Sequence, residues 1–417
     1  MRTTILLDHE PVAAGHVVRL LLRLEAEVTG RTDRLPLNLS LVLDRSGSMH
    51  GGKLEAARAA AARLVRRLAP DDTVSVVAYD DDVRTIAEPA NGAAQAALPR
   101  AIEAIETGGS TNLSGGWLRG RELVARRLLE RGVNRVILLT DGLANVGITD
   151  PRTLTGLSAQ AKKDGITTTT IGFGSDYCEH LLRAMADAGG GNTYYVEHED
   201  QAASIFADEL QGLLDLGAQN VTVQVSPAAA AHLVAVHHDY PSHTAAGTLH
   251  VELGDLYARE PRPLLAEFLI TRDIGETTAV ADLTVSGDVL TSDGAIEHQV
   301  ITLPVTLSAD EGARVEPEVR REMLLLETAR VRREALERRD RGDFDGAAAS
   351  LRELKHKLSA APCDPQLQQE ADEIGTLADS FAACSVSDAD QKYMYQRSYN
   401  AMSGRRRKDD LIRRKRG

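Results

Sequence analysis

The chain has 417 residues, 43% hydrophobic and 26% charged, an ordinary globular composition long enough for two or three domains with real cores. Aromatics are only 4% of it, so those cores are built mainly from Leu, Val, Ile and Ala. A net charge of −13 argues against general nucleic-acid binding by the body of the protein, and the widely spaced Cys178, Cys363 and Cys384 imply no disulfide framework.

The N-terminal MRTTILLDHEP lacks the long apolar segment of a signal peptide, and no run approaches transmembrane length, so the expected compartment is reducing and cytoplasmic. Strand-like stretches follow at residues 3–7 and 16–28. In the second, Val18, Leu20, Leu22 and Leu24 alternate with mostly polar positions, as in a half-buried strand. Two strands do not make a stable sheet alone, so residues 1–35 need partners from elsewhere in the chain.

From Leu37 to about Leu216 strands and helices alternate. Strands are expected at 39–43, 74–79, 83–87, 133–140, 167–173 and 193–196, and helices at 53–68, 93–105, 115–130, 151–163, 179–188 and 200–214. The segment 83–87 follows Asp80-Asp81-Asp82, a hairpin-like turn, and is expected to pair antiparallel at an edge. The alternation predicts an α/β domain over 36–216, a doubly wound, mostly parallel sheet with helices on both faces.

Strands return at 221–225, 232–236, 248–253, 263–271, 278–285 and 298–307, separated by Pro, Gly and Asp turns, and read as an antiparallel β-sandwich over 217–310. Residues 1–35 are expected to join it, so that the α/β domain is inserted into the β domain. A helical C-terminal module occupies 311–417, with helices at 319–339, 345–358, 365–383 and 388–403. Its basic end, GRRRKDDLIRRKRG, reads as a solvated tail or, more sharply, as the one place where an anionic partner such as nucleic acid would be met.

Three stretches carry chemistry. In Leu37–Met49 an apolar strand stops at Asp44, and Asp44, Ser46 and Ser48 alternate along a small glycine-containing loop before a helix. Ligands of open α/β sheets sit outside the carboxyl ends of the strands, where such a loop lies. Gly108-Gly109-Ser110-Thr111-Asn112 presents a threonine hydroxyl from a tight turn, and a second buried strand ends in Thr140-Asp141-Gly142. One carboxylate and two hydroxyls are a hard-oxygen set, suited to Mg²⁺ and poorly suited to zinc.

D-x-S-x-S, a GGSTN threonine loop and an LLTDG strand end, in this order, resemble the von Willebrand factor type A domain over roughly residues 36–215. The resemblance implies a metal-ion-dependent adhesion site. In it the hydroxyls of Ser46, Ser48 and Thr111 hold Mg²⁺, or Mn²⁺ or Ca²⁺ in its place, and Asp44 and Asp141 bond directly or through waters. One coordination position is left for an Asp or Glu of a partner protein. The layout is similar to bacterial relatives of the calcium-activated chloride channel and inter-alpha-trypsin inhibitor type. Such proteins act as regulatory or assembly subunits beside AAA+ ATPases or kinase and phosphatase systems. The expected function is metal-dependent protein binding, not catalysis; the alternative is a subunit of an ATP-driven, chelatase-like or metal-assisted hydrolytic complex.

Other enzyme patterns fail on spacing. A haloacid dehalogenase-type phosphatase loop wants a second acid where Ser46 stands, no G-x-S-x-G surrounds Ser46 or Ser48, and Gly51-Gly52-Lys53-Leu54 lacks the P-loop's spacing and hydroxyl. His232, His237, His238, His243 and His250 match no zinc spacing. Trp117 is expected to anchor a helix, with the rim of a ligand surface as the other reading. Arg341–Ala348 faintly resembles one tetratricopeptide-type helix junction, too little for a repeat.

Overall fold

The computed structural model describes residues 1–9, 14–27, 34–174, 176–258, 260–272, 277–291, 295–308, 313–361 and 364–405. The basic tail from 406 onward and Cys363 lie outside the described residues.

The chain opens with strands β1 (Arg2–His9) and β2 (Val17–Glu25). The α/β region follows as β3 (Leu37–Asp44), α1 (Gly52–Arg66), β4 (Thr73–Tyr79), β5 (Val83–Ala90), α2 (Leu98–Glu103), α3 (Leu113–Ala125), β6 (Val133–Thr140), α4 (Pro151–Lys163), β7 (Thr167–Phe173), α5 (Glu179–Ala188), β8 (Gly190–Val196) and α6 (Ala202–Leu214). Then come β9 (Leu216–Pro227), β10 (Ala231–Val236), β11 (Ser242–Ala245), β12 (Thr248–Tyr257), β13 (Arg262–Ile270), β14 (Thr277–Leu290) and β15 (Ile296–Ser308). Helices α7 (Pro317–Asp340), α8 (Phe344–Ser359), α9 (Pro365–Ala382) and α10 (Asp388–Met402) close the described chain. It divides into two compact units: β3–β8 with α1–α6, and the remaining strands with α7–α10.

The first unit holds a six-stranded sheet in the order β5-β4-β3-β6-β7-β8. Its neighbours are parallel except β5, which pairs antiparallel with β4 at the edge, as the Asp80–Asp82 turn suggests. Every residue of β3 and β6 is buried, the polar Asn38, Ser40, Asn134 and Arg135 included, as in central strands covered on both faces. Their register sets Leu43 opposite Leu139, so the two strands end side by side.

Two helices of this unit depart from the sequence reading. The one expected at 115–130 begins at Leu113, because the Asn112 side chain accepts the Gly115 N–H at 2.9 Å and caps it, and it ends at Ala125. The segment expected to be one helix over 93–105 is a 3₁₀ turn, Gly92–Ala97, followed by the short α2. Gly116 lets α3 lie close on the sheet: a Cβ there would stand 2.5 Å from the Tyr79 ring.

In the second unit the sheets are β1-β2-β13-β10 and β11-β12-β9-β14-β15. The N-terminal strands are joined to the later ones through β2–β13, with Leu22 opposite Leu264. One apolar core lies between the two sheets, with Leu20, Leu22 and Phe268 from one side and Val223, Val251 and Leu283 from the other. The opposite face of the smaller sheet carries Leu21 and Leu265, which pack with Val319 and Leu326 of α7 and Met402 of α10. Helices and sheets therefore share one compact unit. Arg341-Gly342-Asp343 makes the turn into α8, with the Asp343 carboxylate accepting the Gly346 N–H at 2.9 Å. Strand β11 was not legible in sequence; all of its residues are exposed.

The histidines of this unit are dispersed in role. His243 and His250 stack across β11 and β12 with centroids 4.9 Å apart. His238 is buried, accepts the Leu265 N–H through Nδ1 at 3.2 Å and lies 3.2 Å from the Glu322 carboxylate.

Candidate metal centre

The site is built where β3, β4 and β6 end. Asp44 is the last residue of β3 and wholly buried. Its Oδ1 accepts the Ser46 N–H at 2.8 Å and its Oδ2 accepts the Thr140 hydroxyl at 2.6 Å. Thr140, the last residue of β6, thereby ties the two strand ends together.

Asp141 follows it, with no exposed surface. The Ser48 hydroxyl donates to Asp141 Oδ1 at 2.6 Å, and the Lys53 ammonium donates to Oδ2 at 2.6 Å. The hydroxyls of Ser46 and Ser48 are 3.2 Å apart. Thr111 joins them across Gly142, whose hypothetical Cβ would lie 3.2 Å from Thr111 Oγ1 and 3.6 Å from Ser48 Oγ. The structure thus brings together Ser46, Ser48, Thr111 and Asp141, with Asp44 directly behind Ser46.

The loop positions are set by contacts that the sequence reading missed. Arg45 Nη2 pairs with Asp80 Oδ2 at 2.6 Å, both groups nearly buried. Asp80 Oδ2 also accepts the Gly109 N–H at 2.9 Å, and Oδ1 accepts the Asp82 N–H at 2.9 Å. Main-chain bonds stitch the same loops: Gly47 N–H to Gly109 O, Gly108 N–H to Arg45 O, and Asn112 N–H to Asp80 O. Burial by itself would raise the Asp80 pKa, but the Gly109 and Asp82 amides and the Arg45 guanidinium outweigh it and hold the carboxyl below its usual range.

A side chain at position 108 cannot fit, because its Cβ would run into the Asp80 carboxylate and the Arg45 guanidinium. Gly108→Ala should therefore cost about 1–3 kcal/mol of stability by overpacking. By displacing the Thr111 loop it should also weaken Mg²⁺ uptake by about tenfold or more, as losing an outer support does in metal sites. Calorimetry on the variant checks both; unchanged affinity would mean that Thr111 does not depend on this stitching.

The electrostatics of the pair are unbalanced. Burial pushes the Asp44 carboxyl up, against the Ser46 and Thr140 hydrogen bonds, and the charge of Asp141 adds to the rise. Beneath them Tyr79, which donates to Leu139 O at 3.1 Å, is pushed well above its ordinary value by burial and then by Asp44. Two buried carboxylates that repel each other, faced among the described residues by hydroxyls and by no thiol or imidazole, fit a hard divalent cation. Trp117 does not rim this site. It is fully buried in the helix–sheet core, and its indole donates to Thr168 Oγ1 at 3.1 Å.

Among the described residues no helix is long and apolar enough to cross a membrane. Comparisons with known proteins agree on the α/β region. The chain is 28% identical over 364 residues to an uncharacterised protein of Synechocystis sp., covering 84% of this chain and 85% of that one. It is 30% identical over 198 residues to the uncharacterised protein YfbK of Escherichia coli, covering 47% of this chain and 34% of YfbK. It is 31% identical over 189 residues to human inter-alpha-trypsin inhibitor heavy chain H3, covering 43% of this chain and 21% of that one. The chain thus spans about a third of YfbK and a fifth of the human protein.

Among solved structures, a von Willebrand factor type A protein from Catenulispora acidiphila superposes with a TM-score of 0.68 at 19% identity, over 90% of this chain and 96% of that one. The ArnB paralog VWA2 from Sulfolobus acidocaldarius superposes with a TM-score of 0.59 at 18% identity, over 97% and 98%. At these identities the likeness is one of fold. The matched region corresponds to a module that commonly mediates contacts between proteins and often binds a divalent metal. Residues 38–208 of this chain are a von Willebrand factor type A domain.

Proposed function

We propose that this chain is a metal-dependent protein-binding module that recruits an acidic side chain of a partner, serving as a regulatory or assembly subunit of a larger complex. The observation that carries the reading is the convergence of three hydroxyls on two buried carboxylates at the carboxyl end of a parallel sheet. Ser46, Ser48, Thr111, Asp44 and Asp141 would hold Mg²⁺, with Mn²⁺ or Ca²⁺ as substitutes. The bound ion supplies an electrophilic position that an Asp or Glu of the partner can fill.

The chain's own residues make that position selective. Asp44 and Thr140 lock the strand ends together, so the serine loop is held before any partner arrives. The Arg45–Asp80 pair fixes the threonine loop against it. Site groups held in place this way lose little freedom on binding, which favours affinity. A contact made through a metal and one carboxylate is also reversible by withdrawing the metal, as suits regulation.

The test is affinity capture from the source cells with the full chain, in Mg²⁺ and in EDTA. Proteins retained in Mg²⁺, released by EDTA and missed by Asp44→Ala are the expected result. Retention of the same proteins under all three conditions would sink the reading.

A further inference from the structure

We propose that Lys53 is a resident counter-cation of this site, holding Asp141 in the metal-free protein and giving way when a divalent cation enters. The inference rests on the metal reading above and concerns a residue outside the proposed ligand set.

Lys53 lies in the first turn of α1, directly after the N-cap Gly51 and Gly52. The amino end of a helix carries partial positive charge and favours carboxylates, so an ammonium there is held against the helix dipole. The compensation is Asp141: Lys53 Nζ lies 2.6 Å from Asp141 Oδ2, with the lysine side chain 26% exposed and the aspartate 0%. The other oxygen, Oδ1, is taken by the Ser48 hydroxyl. Both Asp141 oxygens are therefore engaged by side chains. A hydroxyl can rotate its proton away from an incoming cation and remain as a ligand. An ammonium has no lone pair to offer, and its charge repels the ion.

The lysine has somewhere to go. It lines a cavity of about 180 Å³ together with Phe173, Gly174, Val196, Glu197, His198 and Glu199. Gly174 leaves the wall open beside the ammonium; even a Cβ there would stand only 3.4 Å from Nζ. Glu199 presses its carboxylate against the amino end of α1, where a Cβ on Gly52 would meet its Oε1 at 2.5 Å. A four-carbon stem that swings from Asp141 toward Glu197 and Glu199 exchanges one carboxylate for others and keeps its charge balanced.

Two measurements on the full chain test this. In Lys53→Met, which keeps the stem and removes the charge, Mg²⁺ affinity by calorimetry should tighten about tenfold, a change of about 1.4 kcal/mol. Lys53→Arg should stay near the wild type. In the wild-type protein, acylation of Lys53 by an amine-reactive reagent, read by peptide mass spectrometry, should rise when Mg²⁺ is added. Mg²⁺ binding by the wild type with equal or weaker binding by Lys53→Met overturns the inference alone, as does Lys53 labelling that stays constant or falls. A wild-type chain that takes up no Mg²⁺ overturns the metal reading and this inference with it. Should Lys53→Met fail to fold, the labelling of the wild type decides.

Discussion

Asp44→Ala should abolish Mg²⁺ binding while leaving the fold intact. Both halves follow from where Asp44 sits. Its carboxylate accepts from Ser46 and Thr140, so removing it leaves a buried amide and hydroxyl without their acceptor, a penalty of about 1–3 kcal/mol. Against that, burial and the charge of Asp141 already disfavour the ionised Asp44 in the metal-free state, so its removal also relieves a repulsion. The two effects oppose, and the metal-free variant should melt near the wild type. With Mg²⁺ present the two proteins should separate, because only the wild type gains the stabilisation that a ligand gives to the state it binds. Calorimetric titration and melting with and without Mg²⁺ provide the check. Retained Mg²⁺ binding would remove Asp44 from the site, and loss of secondary structure would make it a structural residue.

What the sequence made legible was whatever is written locally. Asp44 and Asp141 each close a run of buried apolar residues, and such a run ending in a carboxylate stands out without any structure. Strand–helix alternation gives a mostly parallel sheet but not its strand order, so the adjacency of β3 and β6, whose register sets those ends side by side, is supplied by the structure. The supports were hidden because they are long-range. Asp80 reads as a turn residue, yet its carboxylate holds the Gly109 amide of a loop 29 positions away. Lys53 reads as the first charge of an amphipathic helix, yet its partner lies 88 positions on. The helix expected from 115 starts two residues earlier, at Leu113, because Asn112 caps the turn through the Gly115 N–H, and Gly116 is needed against Tyr79. Strand β11 escaped for the opposite reason: it is short and solvated, with no apolar pattern to announce it.

The largest loss of stability in this domain is expected from Glu209→Leu, far from the metal. Glu209 on α6 is 1% exposed and receives Arg135 Nη1 at 3.0 Å, the Thr169 hydroxyl at 2.6 Å, Asn192 Nδ2 at 2.7 Å and the Tyr194 hydroxyl at 2.8 Å. Removing it takes the carboxylate away from a buried guanidinium, which costs about 3–5 kcal/mol. For a domain of this size that corresponds to a fall of roughly 6–20 °C in its melting transition. Arg135→Met should cost less, because Glu209 would keep the neutral donors Thr169, Asn192 and Tyr194. Equal losses for the two variants, or a smaller one for Glu209→Leu, would sink the account of Glu209 as the hub. Arg135 lies near the start of β6 and Asp141 just past its end, roughly 20 Å apart along an extended strand. Below its melting transition Glu209→Leu should therefore bind Mg²⁺ as the wild type does. That result would separate the two ends of the sheet physically: the buried ion pair at one end sustains the fold, and the carboxylates at the other, which the fold must hold against their mutual repulsion, are not needed for it.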